Sequence, residues 1–187
     1  MDIQIVIDNN IFTYDTSDYV FTGICAFYNG KFFPSVGWND FTDVLLRTWT
    51  HVMLEKRYTR NKTFELYFMD GDYRMIIHKD KDMQLTVNCV EDRGKREKLE
   101  LSFKCGYFRF LESLYSATKS FNEILLSNNL TTGKYEPVFR QTILSMNELE
   151  NAIKEGDNSK KHYMKRLKAL IRKAFFRIKC LKYYLPR

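Results

Sequence analysis

The chain has 187 residues, a net charge of +7, 44% hydrophobic and 16% aromatic residues, and only three prolines. This composition suits one globular domain and argues against disorder, and no apolar run is long enough to span a bilayer. The charge is unevenly distributed: residues 158–187 contain eleven Lys and Arg and no acid, which leaves 19 basic against 23 acidic residues elsewhere. We therefore expect a mildly acidic body joined to a strongly basic C-terminal segment.

The first 35 residues favour β-strands. Ile3, Ile5 and Ile7 alternate with their neighbours, as expected of a strand with one buried face. Asn29-Gly30 is typical of a two-residue hairpin, because both residues tolerate positive φ. Pro34 is expected to end the strand that follows this turn.

A helix is predicted over about residues 40–57. Asn39 or Asp40 is expected to cap its N-terminus. Its apolar positions follow helical spacing and are Phe41, Val44, Leu45, Trp49, Val52 and Met53.

The next segment predicts an antiparallel meander. Asp70-Gly71 provides a hairpin turn, and residues 79–82 provide the next one. The strands alternate cleanly, so one sheet face is expected to be buried and the other solvated. The residues expected on the buried face are Phe64, Leu66, Phe68, Met83, Leu85, Val87, Cys89, Leu99, Leu101, Phe103 and Cys105.

A second helix is expected to cover this buried face. Its apolar stripe consists of Tyr107, Phe110, Leu111, Leu114, Thr118, Phe121 and Leu125. The polar stretch Ser127–Tyr135 is the best candidate boundary, which predicts a sheet domain at 1–128 and a helical segment at 129–187 packed on it.

The C-terminal segment predicts an αα-hairpin. Ser145 to Glu148 matches a capping box, and Leu144 with Leu149 has the spacing of a hydrophobic staple. Gly156 is expected to end this helix, and a final helix follows to about Tyr184. The fold class is thus α+β: an antiparallel sheet of about six or seven strands packed by two amphipathic helices, followed by a C-terminal αα-hairpin.

The sequence lacks the residue patterns of the common catalytic motifs. The serine-hydrolase, phosphate-loop, dinucleotide and zinc-protease motifs do not occur, and the three histidines are isolated. The acids of the turns at 70–72 and 80–82 belong to successive hairpins, so they are expected at opposite ends of the sheet, about 20 Å apart. We therefore expect no enzyme activity, no cofactor and no metal.

The cysteines and the N-terminus indicate a compartment. The four cysteines are far apart and form no Cys-x-x-Cys pair. Met1-Asp2-Ile3 lacks the basic and apolar regions of an export signal. We expect reduced thiols and a cytoplasmic protein.

The predicted final helix is the most unusual feature of the sequence. Its apolar stripe is flanked by basic residues, with aromatics between the flanks. The candidate partner-binding residues are Lys161, Lys165, Arg166, Lys168, Arg172, Lys173, Phe176, Arg177, Lys179 and Tyr183. Three interpretations stay open: a packed helix with solvated lysines and Phe176 against a neighbouring helix or a second copy, nucleic-acid contact through residues 160–182, or contact with an acidic protein or anionic membrane.

Residues 20–125 contain two segments that resemble bacterial proteins associated with polymorphic or contact-dependent toxins. The segments are Phe33–Phe41, continuing through Leu45–Trp49, and Phe64–Tyr73. A strand that ends in an acidic-Gly hairpin, after a helix begun near Trp38, is similar to several immunity proteins. The resemblance implies a non-catalytic protein that occludes a toxin in the cytosol, and it carries over no contact residue.

The sequence therefore supports two functional hypotheses. The leading one is a cytoplasmic, non-catalytic protein-binding module of the immunity type, which neutralises a toxin by direct binding. The alternative is a nucleic-acid-associated protein that contacts phosphates through the basic C-terminal helix. The expected partner is a protein such as a toxin domain, with nucleic acid as the alternative, no transmembrane segment, and a homodimer as a further option.

Overall fold

The computed structural model describes residues 3–13, 19–94, 96–156 and 158. The chain divides into two compact units, residues 1–151 and 152–187. In the second unit, the described residues 152–156 and 158 are helical. The sequence-based boundary at 128/129 stays a prediction.

The elements follow the order predicted for an α+β fold. The first strands are β1 (Gln4–Thr13), β2 (Val20–Tyr28), β3 (Lys31–Phe33) and β4 (Asn39–Phe41), followed by helix α1 (Thr42–Glu55) and a 3₁₀ turn (Lys56–Tyr58). The later strands are β5 (Lys62–Tyr67), β6 (Tyr73–Lys79), β7 (Gln84–Asp92) and β8 (Glu97–Gly106), followed by helix α2 (Tyr107–Ser127). A 3₁₀ turn (Gly133–Tyr135) precedes helix α3 at residues 136–156.

The first sheet is built around β2. Strand β1 pairs with one side of β2, and the short strands β3 and β4 both pair with the other side. Tyr28 faces Lys31 across the β2–β3 turn, and Asn29 and Gly30 have φ values of 49° and 78°. The predicted Asn-Gly hairpin is therefore confirmed.

The second sheet is the predicted antiparallel meander, in the order β5-β6-β7-β8. The turn at Asp70-Gly71 joins β5 to β6, and the turn at 80–83 joins β6 to β7 at the opposite end. The predicted placement of the two acidic turns at opposite ends of the sheet is thus confirmed. The prediction of one sheet was wrong, because the described strands form two four-stranded sheets. The four strands after α1 pair with one another and form a separate sheet from the four strands before it.

The core collects aromatic and aliphatic side chains from both sheets and from α1 and α2. The predicted stripe of α2 is buried at every position. Trp49 of α1 is fully buried, packs on Phe68, and donates from Nε1 to the Tyr67 carbonyl at 2.8 Å. The Tyr107 hydroxyl donates to the Met53 carbonyl at 2.5 Å, which ties α2 to α1.

The predicted cap of the first helix and the predicted start of the third helix were wrong. Helix α1 begins at Thr42 after Phe41 with no side-chain cap, because the Asp40 carboxylate is used elsewhere in the fold. The capping-box residue Ser145 is buried inside α3, which begins nine residues earlier at 136. Pro137 in the first turn explains this start, because proline has a helical φ and needs no N–H donor there. The predicted final helix lies outside the described residues.

Candidate interaction surface

The outer face of the second sheet is its surface turned away from the core. The strand register places its side chains in three cross-strand rows: Tyr67, Arg74, Val90 and Leu99; Glu65, Ile76, Asn88 and Ser102; and Thr63, His78, Thr86 and Lys104. Neighbouring strands lie about 4.8 Å apart, so each row spans about 15 Å.

The first of these rows has an exposed apolar residue at each end. The Tyr67 side chain is 54% exposed at the β5 edge, and Leu99 is 57% exposed at the β8 edge. Thr63, His78 and Lys104 are also exposed, whereas Val90 inside the first row is only 4% exposed, so solvent reaches the outer face mainly at its edges and at the row of Thr63. The row is visible only in the sheet register, because its four members come from four different strands.

Leu99 was predicted on the buried face, and this prediction was wrong. Cys89 pairs with Leu101, but Val90 pairs with Leu99, so Glu100 is an extra residue in β8. A one-residue shift in register exchanges the faces of a strand, because side chains alternate with a period of two. The bulge therefore turns Leu99 outward, whereas Leu101, Phe103 and Cys105 stay buried as predicted.

Arg74 lies at the centre of a cluster of carboxylates on the outer face. Its side chain is only 16% exposed. Its guanidinium contacts Asp92 at 3.1 Å and Glu65 at 3.5 Å, and it also donates to Glu97. These four groups carry a net charge of −2. They link three strands, β5, β7 and β8, to one side chain of β6.

The cluster also orders its neighbours. The hydrogen bond from Arg74 holds the pKa of Asp92 below its usual value, so Asp92 stays ionised. The Tyr67 hydroxyl donates to Glu65, and this hydrogen bond raises the pKa of Tyr67. Tyr67 is therefore exposed but oriented, which lowers the entropy that a partner must remove when it binds.

The two segments that resemble immunity proteins meet at the β5–β6 turn. Asp40 is 1% exposed and accepts hydrogen bonds from the backbone N–H groups of Phe41 (2.7 Å), Met69 (3.0 Å) and Asp70 (3.2 Å). The Trp38 ring packs edge-on against Tyr73, at 4.9 Å between centroids. These residues join β4 to the β5–β6 turn, so they position the turn that borders the exposed row.

Cys25 and Cys89 are buried thiols without the properties of an activated nucleophile. Burial raises the pKa of the Cys25 thiol to about 11 and that of Cys89 to about 12, so both stay protonated near neutral pH. His78 is exposed, and its Nδ1 lies 3.1 Å from the Thr63 hydroxyl. Among the residues that the structure describes, no three His, Cys, Asp or Glu side chains are grouped as metal ligands.

A cleft of ≈530 Å³ lies between α1, α2 and the start of α3. Asp43 and Arg47 of α1 line it together with Thr118 of α2 and Gln141 of α3. Burial raises the pKa of Asp43, and its carboxylate accepts a long hydrogen bond, 3.4 Å, from the Val20 N–H. The sequence did not single out this cleft, because its residues are far apart along the chain.

The residues predicted to bind a partner lie outside the described residues. They are Lys161, Lys165, Arg166, Lys168, Arg172, Lys173, Phe176, Arg177, Lys179 and Tyr183. Their role stays a prediction. Within the described ranges, none of the helices combines the length and apolarity needed to cross a membrane.

The chain was also compared with known proteins. No family model, curated protein or solved structure matches it. The resemblance to immunity proteins therefore stays an expectation from the sequence.

Proposed function

We propose that this chain is a non-catalytic protein-binding module of the immunity type, which neutralises a toxin by direct contact through the outer face. The observation that carries the proposal is the row in which Tyr67 and Leu99 are exposed at the two ends, beside the carboxylate cluster around Arg74. Tyrosine and arginine are the residue types that most often dominate binding energy in protein interfaces.

The charge and the size of the outer face indicate which kind of partner it would bind. The cluster carries −2, and residues 1–157 carry −4, so a basic partner surface is complementary. The outer face covers about 15 by 20 Å. A standard interface needs about 800 Å² from each partner, so the contact would extend onto the neighbouring turn at 69–72. Met69 in that turn is exposed and adds apolar area.

The experiment measures binding of the full-length chain to the products of neighbouring genes by calorimetry. We expect 1:1 binding to one of them. Tyr67→Ala or Leu99→Ala should weaken it at least about tenfold, because each removes an exposed apolar contact. Glu97→Lys should also weaken it, because it reverses a charge in the cluster.

Tyr58→Ala is the matched control, since Tyr58 is an exposed tyrosine at the other end of the sheet. It should bind the partner as the unmodified chain does. Binding that is unchanged in Tyr67→Ala and Leu99→Ala would reject the outer face as the interface. If no neighbouring product binds and the chain only dimerises through Phe176 and Tyr183, the proposal fails.

A further inference from the structure

A second exposed surface lies at the opposite end of the second sheet. Residues 56–62 connect α1 to β5 and have the sequence Lys-Arg-Tyr-Thr-Arg-Asn-Lys. Four of these seven residues are basic, and Tyr58 lies among them. We call this segment the basic turn.

Tyr58 is the most prominent residue of the basic turn. Its side chain is 80% exposed. The Arg57 guanidinium lies 5.2 Å from the centroid of the Tyr58 ring and 5.7 Å from that of Phe108. Arg57 thus contacts both rings by cation–π interactions and covers one face of the Tyr58 ring. The exposure of Tyr58 leaves the rest of its ring to solvent.

A buried lysine anchors the basic turn. Lys79 Nζ donates to the carbonyls of Lys56 and Arg57, each at 2.6 Å. The Thr59 hydroxyl donates to the same Lys56 carbonyl at 2.8 Å. These bonds hold the 3₁₀ turn in one conformation. Tyr58 and Arg57 are therefore arranged before any ligand arrives.

Lys79 also contributes positive charge. It is fully buried, and among the residues that the structure describes, the groups around its ammonium are two carbonyls, the Met83 sulfur at 3.8 Å and the Tyr107 ring at 5.3 Å. None of these neutralises a cation. Buried charge is weakly screened, so Lys79 strengthens the positive potential of the turn above it.

The nearby acids only partly offset this charge. Glu55 is paired with Lys56 at 2.5 Å, and Asp80 accepts hydrogen bonds from the backbone N–H groups of Asp82 and Gln84. Further bases lie at the same end of the sheet by strand register and chain order: Lys81, Lys104 and Arg109, of which Arg109 is paired with Glu112 at 2.8 Å. Arg60 and Lys62 are exposed beside Tyr58.

We infer that the basic turn is a contact site for single-stranded nucleic acid, in which a base stacks on the exposed ring of Tyr58. Arg60 and Lys62 would contact the adjacent phosphates. Stacking on an exposed aromatic within a basic groove is how proteins bind single strands without sequence readout. A membrane surface fits less well, because the turn offers one aromatic and no apolar helix face to insert.

This inference does not rest on the proposed function. Lys62, the last residue of the basic turn, begins β5, whereas Tyr67 ends it, about 17–20 Å away along the strand. The basic turn therefore shares no residue with the row of Tyr67, Arg74, Val90 and Leu99. The two exposed tyrosines serve as controls for each other.

The experiment uses the full-length chain with Lys165, Lys168, Arg172 and Lys173 changed to Glu, because the basic C-terminal segment would itself attract polyanions. The probe is a fluorescent oligouridine of about ten nucleotides, followed by anisotropy. We expect salt-sensitive binding that Tyr58→Ala weakens about 5- to 100-fold. Tyr58→Trp should retain it, because indole also stacks.

Two further variants separate stacking from charge. Arg60→Ala should reduce the slope of log affinity against log salt by about 0.7, the value for one phosphate contact on a single strand. Tyr67→Ala should leave binding unchanged. Inorganic polyphosphate, which has no bases, should bind equally well to the Tyr58→Ala variant and its parent.

Two results would overturn the inference. In one, oligouridine affinity changes less than about twofold in Tyr58→Ala, a change too small for the loss of a stacked base. In the other, anionic vesicles bind the chain and Tyr58→Ala reduces that binding as much as oligouridine binding, so the turn recognises anionic surfaces in general. Failure here leaves the Tyr67 and Leu99 results unaffected, so the two proposals are judged separately.

Discussion

Asp40→Ala is expected to be among the most destabilising single substitutions in this fold. Asp40 is 1% exposed, and its carboxylate accepts three backbone hydrogen bonds, of which those from Met69 and Asp70 join β4 to the β5–β6 turn. Alanine leaves three N–H groups without their acceptor, at about 1–3 kcal/mol each. The substitution also removes the cost of burying a carboxylate charge, which offsets part of this loss of stability. We expect the free energy of unfolding to fall by about 3–5 kcal/mol.

The assay is urea unfolding followed by tryptophan fluorescence, since the two tryptophans, Trp38 and Trp49, flank Asp40 in sequence. Asp72→Ala is the matched control, because Asp72 is an exposed acid of the same turn. It should change stability by less than about 0.5 kcal/mol. A loss below about 1 kcal/mol in Asp40→Ala would refute the reasoning that these hydrogen bonds hold the junction.

The pH dependence of Asp40→Asn tests the same site through its charge. Burial raises the pKa of Asp40 despite the hydrogen bonds that lower it. The folded chain therefore binds this proton more tightly than the unfolded chain, and the stabilising contribution is lost as pH rises through the raised pKa. The stability of the unmodified chain relative to Asp40→Asn should be higher at about pH 4 than at about pH 7. The opposite trend would show that the hydrogen bonds outweigh burial.

Two further substitutions test the packing. Lys79→Met should lower the free energy of unfolding by about 1–3 kcal/mol in urea, because two carbonyls of the basic turn lose their donor. Burial lowers the pKa of Lys79, so the folded chain releases this proton at a lower pH than the unfolded chain does. The unmodified chain should therefore gain stability relative to Lys79→Met as pH rises toward the normal pKa of lysine. A stability difference that does not change with pH would contradict this. Gly23→Ala should cost about 1–3 kcal/mol, because its Cβ would lie 2.6 Å from that of Asp8. Gly106→Ala is the control: its Cβ would lie 3.9 Å from Arg109 Cγ, an ordinary van der Waals contact, so it should be close to neutral in the same melts.

The sequence by itself determined the local elements of this protein. The hairpins at Asn29-Gly30 and Asp70-Gly71 and the stripe of α2 were predicted correctly. Each depends on residues within about one turn or one strand of each other, so the local pattern is sufficient. The α+β class and the meander followed from the order of these elements.

Local patterns were misleading where a distant partner used the same residue. Asp40 has the sequence character of a helix cap, but it accepts hydrogen bonds from Met69 and Asp70, which are about thirty positions away. Ser145 matches a capping box, but Pro137 already begins the helix. A capping side chain and a buried acceptor look alike in sequence, because both are short polar groups beside an apolar run.

Only the tertiary structure decided what the surface presents. The bulge at Glu100 turns Leu99 outward, and the register brings it into one row with Tyr67 and Arg74. From the sequence, Lys79 belongs to the turn at 79–82, yet in the structure it is buried beneath the basic turn. These arrangements depend on strand register and on contacts between residues far apart in the chain. The sequence thus determined the elements, and long-range pairing determined which of their side chains form the two candidate surfaces.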